Sequence, residues 1–202
     1  GVMKTAGKAW SVSLWFRNEQ PNDVRAVTAY LFSRGPNGNK QAPGDHLGIG
    51  GNYQPGAAGR LIVFNGNELN QTLTGRTVIP PGTWNHVVMV RNGSRVKAWL
   101  NGEATAEIDG EMKTSVAEVK DFFLGARCDM LAPLNGFLAQ FALFDRALEA
   151  GEVKTLHTAS GLPSGTPPAP AEPVKTAIKL DSLPLPPKDS MKKIHVRAGY
   201  EV

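Results

Sequence analysis

The sequence predicts an antiparallel β-sandwich, and three observations carry that reading. Residues 8–18, KAWSVSLWFRN, alternate Trp10, Val12, Leu14 and Phe16 with Ser11, Ser13, Trp15 and Arg17, which is the period-two pattern of a strand with one face in a core. Residues 84–103, WNHVVMVRNGSRVKAWLNGE, set Asn92-Gly93 between two apolar runs. Asn-Gly suits a two-residue type I′ turn because both central residues must take positive φ, so this pair signals a hairpin. Turn signals also recur about every ten residues, as a sandwich or barrel requires.

In order, Lys8 to Asn18 is the first strand, and Ala26 to Arg34 the second, ending in the turn cluster Gly35-Pro36-Asn37-Gly38-Asn39. Asp45 to Tyr53, DHLGIGGNY, reads as a strand whose glycines allow close approach of another backbone or a ligand. Arg60 to Asn65 returns the chain, and two short segments, Glu68 to Leu73 and Arg76 to Ile79, lead through Pro80-Pro81-Gly82 into the hairpin. Beyond it, Glu103 to Ile108 alternates weakly, Lys120 to Gly125 reads as a strand and Asn135 to Asp145 as a long one. Leu148 to Thr158 has near-helical spacing, with Gly161 suited to the stop. The expectation is about a dozen strands and one short C-terminal helix.

Composition changes at Gly161, since eight of the fifteen prolines lie from Pro163 to Pro187. The chain therefore divides into a sandwich over 1–160 and an extended Pro-rich linker over 161–202, leading to a further domain. Two strand-like patches, Val174 to Leu180 and Lys192 to Val202, interrupt the linker.

With 202 residues, 41% hydrophobic and 20% charged, the chain can bury a substantial core. The net charge of +4 is spread evenly: 16 Lys/Arg face 14 Asp/Glu up to Ser160, and 6 face 4 beyond it. No basic patch supports a nucleic-acid partner. The lone Cys128 excludes an internal disulfide and a cysteine zinc cluster, and no apolar run is long enough to span a membrane. The abrupt start, with strand-like residues by Trp10, reads as a piece of a longer, exported protein whose signal peptide is not in this chain.

The series SVSLWFRN, YLFSRG, LGIGGN, GRLIVFN, PPGTWNHVVMVRNGSRVKAWLNGE, FFLGAR and LNGFLAQFALFDRALEAGEVKTLH resembles the laminin-G-like, concanavalin A-like lectin/glucanase superfamily in its bacterial, pentraxin-related form, from about Trp10 to Ser160. The resemblance implies an all-β, two-sheet antiparallel jelly roll and a carbohydrate-binding, adhesion or accessory role in a secreted multidomain protein. The family often closes with Gly-x-Ile-Asp-Glu-Val, but Ala139 and Gln140 stand at the acidic pair here. A calcium site on that strand loses its hard oxygen ligands, so no cofactor is expected. The usual first strand is absent before Trp10, a place that Val174 to Leu180 could take. The ending IHVRAGYEV resembles the opening of the propeller domain in bacterial glucose/sorbosone-dehydrogenase-like proteins, which implies an accessory module ahead of a redox enzyme.

Glu107, Asp109 and Glu111 would share one strand face, and retaining glycosidases need two carboxylates about 5 Å apart. Glucanases of the superfamily carry a similar Glu-x-Asp-x-Glu strand. Against catalysis, Asp109-Gly110 favours a turn, and a solvated strand end explains the same residues. Trp99 is the best ligand platform. A two-residue turn at Asn92-Gly93 places it opposite His86, with Val87, Met89, Val96, Ala98 and Leu100 on the core face. A Trp covered by a loop or the tail gives the same pattern. Asp45, His46, Asn52 and Tyr53, and separately Arg127 with Asp129, fall at strand ends where recognition loops gather, although such residues are usually only solvated. The four histidines are scattered at no metal-ligand spacing.

The sequence thus favours a non-catalytic binding or docking module, with a glycan, a protein surface or other domains of the parent protein as partner. A glucanase using the Glu107 strand and a structural spacer are the alternatives.

Overall fold

The computed structural model of the protein describes residues 9–113 and 121–165. The expected tail strands, Val174 to Leu180 and Lys192 to Val202, lie outside the described residues. The strands are β1 (Ala9–Asn18), β2 (Val27–Arg34), β3 (Asp45–Gly50), β4 (Leu61–Phe64), β5 (Thr72–Thr74), β6 (Trp84–Asn92), β7 (Arg95–Leu100), β8 (Ile108–Glu111), β9 (Phe122–Leu124) and β10 (Gly136–Phe144), followed by one helix, α1 (Ala150–Ala159). They form two five-stranded antiparallel sheets, β10-β1-β6-β7-β8 and β5-β4-β3-β2-β9. The all-β jelly-roll class expected from the sequence is the class observed. Ten strands, rather than about a dozen, occur among the described residues: Arg76 to Ile79 runs as a connection, and the strand expected from Glu103 to Ile108 forms instead at Ile108–Glu111, so Asp109-Gly110 lies in a strand and not in a turn.

The alternation in β1 does what its period requires. Trp10, Val12, Leu14 and Phe16 enter the core between the sheets with Leu31, Leu47, Ile49, Leu61 and Val63 from the opposite sheet. The hairpin supplies Val87, Met89, Val96, Ala98 and Leu100 to the same core. Burying each large side chain contributes about 1.5–3 kcal/mol, so this interior is the main stabilising term. The opposite face of the hairpin is also covered: Val88, Val90 and Trp99 pack with Leu148 and Val153, the latter on α1.

The hairpin differs in register from the sequence expectation. Asn92 pairs with Arg95 and Val88 with Trp99, so Gly93-Ser94 is the turn and His86 is not opposite Trp99. Gly93 takes φ +59 and Asn92 remains in the strand, which matches a turn with glycine at its first central position. Each partner moves by two residues, so the division into faces is kept. The pair Asn101-Gly102 has positive φ at both residues, 54° and 69°, and Glu103 N–H closes the turn on Leu100 C=O at 3.1 Å. The chain then swings out through residues 104–106 and rejoins β7 where Glu107 N–H meets Ala98 C=O at 2.7 Å. That detour keeps Glu103 and Thr105 out of the core.

Helix α1 begins at Glu149, whose N–H donates to Glu152 Oε2 at 2.9 Å, and Gly161 follows it at φ +68. Arg146 grips both Glu152 oxygens, at 2.9 and 2.6 Å, and holds that carboxyl down to about 2. The first turn of the helix is thereby tied to the segment that enters it.

Candidate functional site

The structure commits most of the sequence candidates to structural contacts. Glu107 Oε2 accepts from the Arg76 and Thr77 N–H groups at 2.7 and 2.8 Å, and Oε1 from the Thr77 hydroxyl at 2.8 Å. Partial burial pushes its carboxyl up, but these donors from Thr77 and Arg76 hold it below the usual carboxylate range. Asp109 Oδ1 accepts from Arg95 Nε at 2.6 Å, and Glu111 lies 3.5 Å from the same guanidinium. The Arg95 hydrogen bond lowers the Asp109 carboxyl. A general acid needs a carboxyl raised toward neutrality, whereas Glu107 and Asp109 are lowered. The three residues are brought together along the edge strand, but as partners of Arg76, Thr77 and Arg95.

Trp99 is only 5% exposed and faces α1. What covers it is the helix with the segment before it. His86 lies beneath the same helix: its ring is 5.3 Å from that of Trp15 and 5.6 Å from that of His157, and His157 stacks on Trp15 at 5.4 Å. Burial, with His157 beside it, pushes the His86 imidazole down to about 4.

Asp45 and His46 stand at the start of β3, as the sequence suggests, but are fully buried rather than solvated. Asp45 lies 3.5 Å from Arg34 and 3.6 Å from Arg91. His46 Nε2 is 2.7 Å from Ala42 C=O, so it carries the proton, and Nδ1 accepts from the Ser33 hydroxyl at 2.7 Å. Arg127 grips both oxygens of Asp129, at 2.8 and 2.7 Å, reaches Asn67 Oδ1 at 3.2 Å and lies 5.7 Å from the Tyr30 ring and 5.8 Å from Phe64. His46 meets Tyr30 and Phe64 too, so His46 and Arg127, separate in the sequence, converge on one face of the second sheet, whereas Asp45 faces Arg91 of the first sheet. Nearby, Tyr53 shares a 3.1 Å hydrogen bond with Thr74, and Asn52 donates to Asp23 C=O at 2.8 Å.

A different set of side chains is assembled for recognition. Arg17 in β1 pairs with Trp84 in β6 on one side and Phe137 in β10 on the other, so the three share one face of the first sheet. The Arg17 guanidinium lies 4.7 Å from the Phe137 centroid and 5.9 Å from that of Trp84, and the two rings are 6.4 Å apart. Phe137 is 53% exposed. Arg17 also pairs with the Glu19 carboxylate, and Glu19 N–H is fixed to Asn135 C=O at 2.8 Å. Gly136 admits this arrangement, because a Cβ there would lie 2.0 Å from Arg17 C=O. The row offers two aromatic surfaces, a guanidinium and a carboxylate, the side-chain types that grip a sugar by its apolar face and its hydroxyls. Arg17, Trp84 and Phe137 are far apart in the chain, which is why the sequence did not single them out.

Among the described residues no three His, Cys, Asp or Glu side chains are grouped to hold a metal. At the positions of the family's acidic pair, Ala139 has no ligand atom and Gln140 Nε2 donates to Ser160 C=O at 3.0 Å.

Residues 2–154 match the family model of the concanavalin A-like lectin/glucanases superfamily. The chain belongs to that superfamily. No curated protein matches it. Among solved structures, domain 4 of AbnA, a GH43 extracellular arabinanase from Geobacillus stearothermophilus, in complex with arabinotriose, is similar at TM-score 0.54 and 23% identity over 74% of this chain and 66% of that one, just under two thirds. The CBM40 of Ruminococcus gnavus IT-sialidase bound to α2,3-sialyllactose is similar at TM-score 0.56 and 16% identity, covering 76% and 84%. The native heptameric SAP-like pentraxin of Limulus polyphemus is similar at TM-score 0.56 and 18% identity, covering 82% and 77%. At these identities the superfamily member and its neighbours share a fold.

Proposed function

We propose that this superfamily member is a non-catalytic, glycan-binding module that holds sugar at the Trp84–Arg17–Phe137 row. The observation that carries the reading is that row: two aromatic rings on the strands either side of Arg17, packed against its guanidinium on one sheet face, with Phe137 open to solvent. Binding of arabinotriose and sialyllactose by proteins of the same fold supports it. Engagement of Glu107, Asp109 and Glu111 in hydrogen bonds and ion pairs supports binding without hydrolysis. Export, and service as an accessory to another domain of the parent protein through the Pro-rich segment over 161–202, complete the proposal. A glycan array probed with and without calcium tests it. Binding in both conditions, weakened roughly tenfold by Trp84→Ala or Phe137→Ala, is expected. An array with no binding overturns the reading.

A further inference from the structure

Resting on that reading, we infer that Glu19 makes the row selective for uncharged sugars. A guanidinium lying over two aromatic rings is by itself an anion trap, since Arg presents paired donors to a carboxylate. Here the Glu19 carboxylate already sits against Arg17 Nε. Glu19 is held in place from both sides of the chain. Its N–H donates to Asn135 C=O at 2.8 Å, and the preceding Asn18 side chain donates to Gln20 C=O at 2.6 Å. Phe137 follows Asn135 by two residues, so the same contact fixes the Glu19 backbone relative to the exposed ring, while Arg17 Nε holds the carboxylate.

The pair is partly solvent-exposed, with side chains 24% and 36% accessible, so a ligand can reach both groups. What it meets is a fixed acceptor beside a fixed donor with no net charge. Adjacent sugar hydroxyls satisfy both, one donating to the carboxylate and one accepting from the guanidinium. A uronate brings a second negative charge to Glu19 and must compete with it for Arg17. Like charges at a few ångströms cost binding even in a wet site. Glu19 is therefore a specificity residue, and its removal should convert the row into an acid-tolerant site.

The experiment compares the intact chain, Glu19→Gln, Trp84→Ala and Phe137→Ala on two immobilised sets, neutral cello-, xylo- and arabino-oligosaccharides against oligogalacturonate and alginate oligosaccharides, at low and high salt. Circular dichroism of each variant confirms that it is folded. The expected result is parent binding to the neutral set, weakened roughly tenfold by either aromatic substitution, with Glu19→Gln gaining roughly tenfold for the acidic set in a salt-sensitive manner. Parent binding that favours the acidic set, or a Glu19→Gln protein with unchanged preference, overturns the selectivity while leaving the glycan site standing. Binding untouched by both aromatic substitutions, or no binding to either set, overturns the site and the selectivity together.

Discussion

Arg91 of β6 reaches across the sandwich to within 3.6 Å of Asp45 in β3, and both side chains are buried. The contact joins the two sheets through charge, with Arg34 of β2 on the other carboxylate oxygen at 3.5 Å. Removing one partner of a buried ion pair leaves uncompensated charge, which costs about 3–5 kcal/mol. Asp45→Ala should therefore lose about that much in urea denaturation while glycan binding of the folded fraction is kept.

His46 links stability to pH. Burial pushes its imidazole from 6.5 down to about 4. The unfolded chain thus binds the proton more readily, so the contribution of neutral His46 is complete above pH 6.5, declines as pH falls toward 4, and is lost below that. The shift corresponds to about 3 kcal/mol. Denaturation midpoints measured from pH 7 to 4 should fall, and less steeply in His46→Gln. An equal slope in the variant would assign the effect to other groups, of which His86 is the first.

Glu107→Gln distinguishes a loop tie from a catalytic acid. Two backbone N–H groups and the Thr77 hydroxyl converge on the carboxylate, so the substitution should cost about 1–2 kcal/mol of stability. Sugar binding should be the same in parent and variant, and β-glucan hydrolysis is expected of neither; hydrolysis by the parent that the variant loses would return Glu107 to a catalytic role.

Trp99→Ala empties the space beneath α1 and should cost about 3–5 kcal/mol. Hydrogen exchange should show α1 opening with the cavity. A variant of normal stability that had lost ligand would return Trp99 to the list of sugar contacts.

Cys128 is fully buried, and burial pushes its thiol up. It should stay unreactive toward a thiol reagent in the native protein and react once in denaturant. Rapid native labelling would show that the segment carrying Arg127 and Asp129 opens.

Most strands, the core face of the hairpin and the helix were readable from the chain, because each rests on a local period or a local turn, whereas the two-sheet arrangement followed from the family resemblance. Trp10, Val12, Leu14 and Phe16 announce their face by alternation alone, and so do Val87, Met89, Val96, Ala98 and Leu100. Turn register was less readable: Asn92-Gly93 suits a type I′ turn, yet the strand pairing places Gly93-Ser94 at the corner. Candidate polar residues were the least readable, because Glu107, Asp45 and Arg127 look alike in sequence whether they face solvent, a backbone or an opposite charge.

What the amino-acid order determined by itself was therefore the sandwich and its superfamily, down to the face on which each hairpin residue lies. Only the tertiary structure decided which outward face stays open. Helix α1 folds back over Trp99 and His86, while pairing of three distant strands sets Trp84, Arg17 and Phe137 side by side. The reason is physical: alternation is a property of neighbours along the chain, whereas exposure depends on what other segments come to cover.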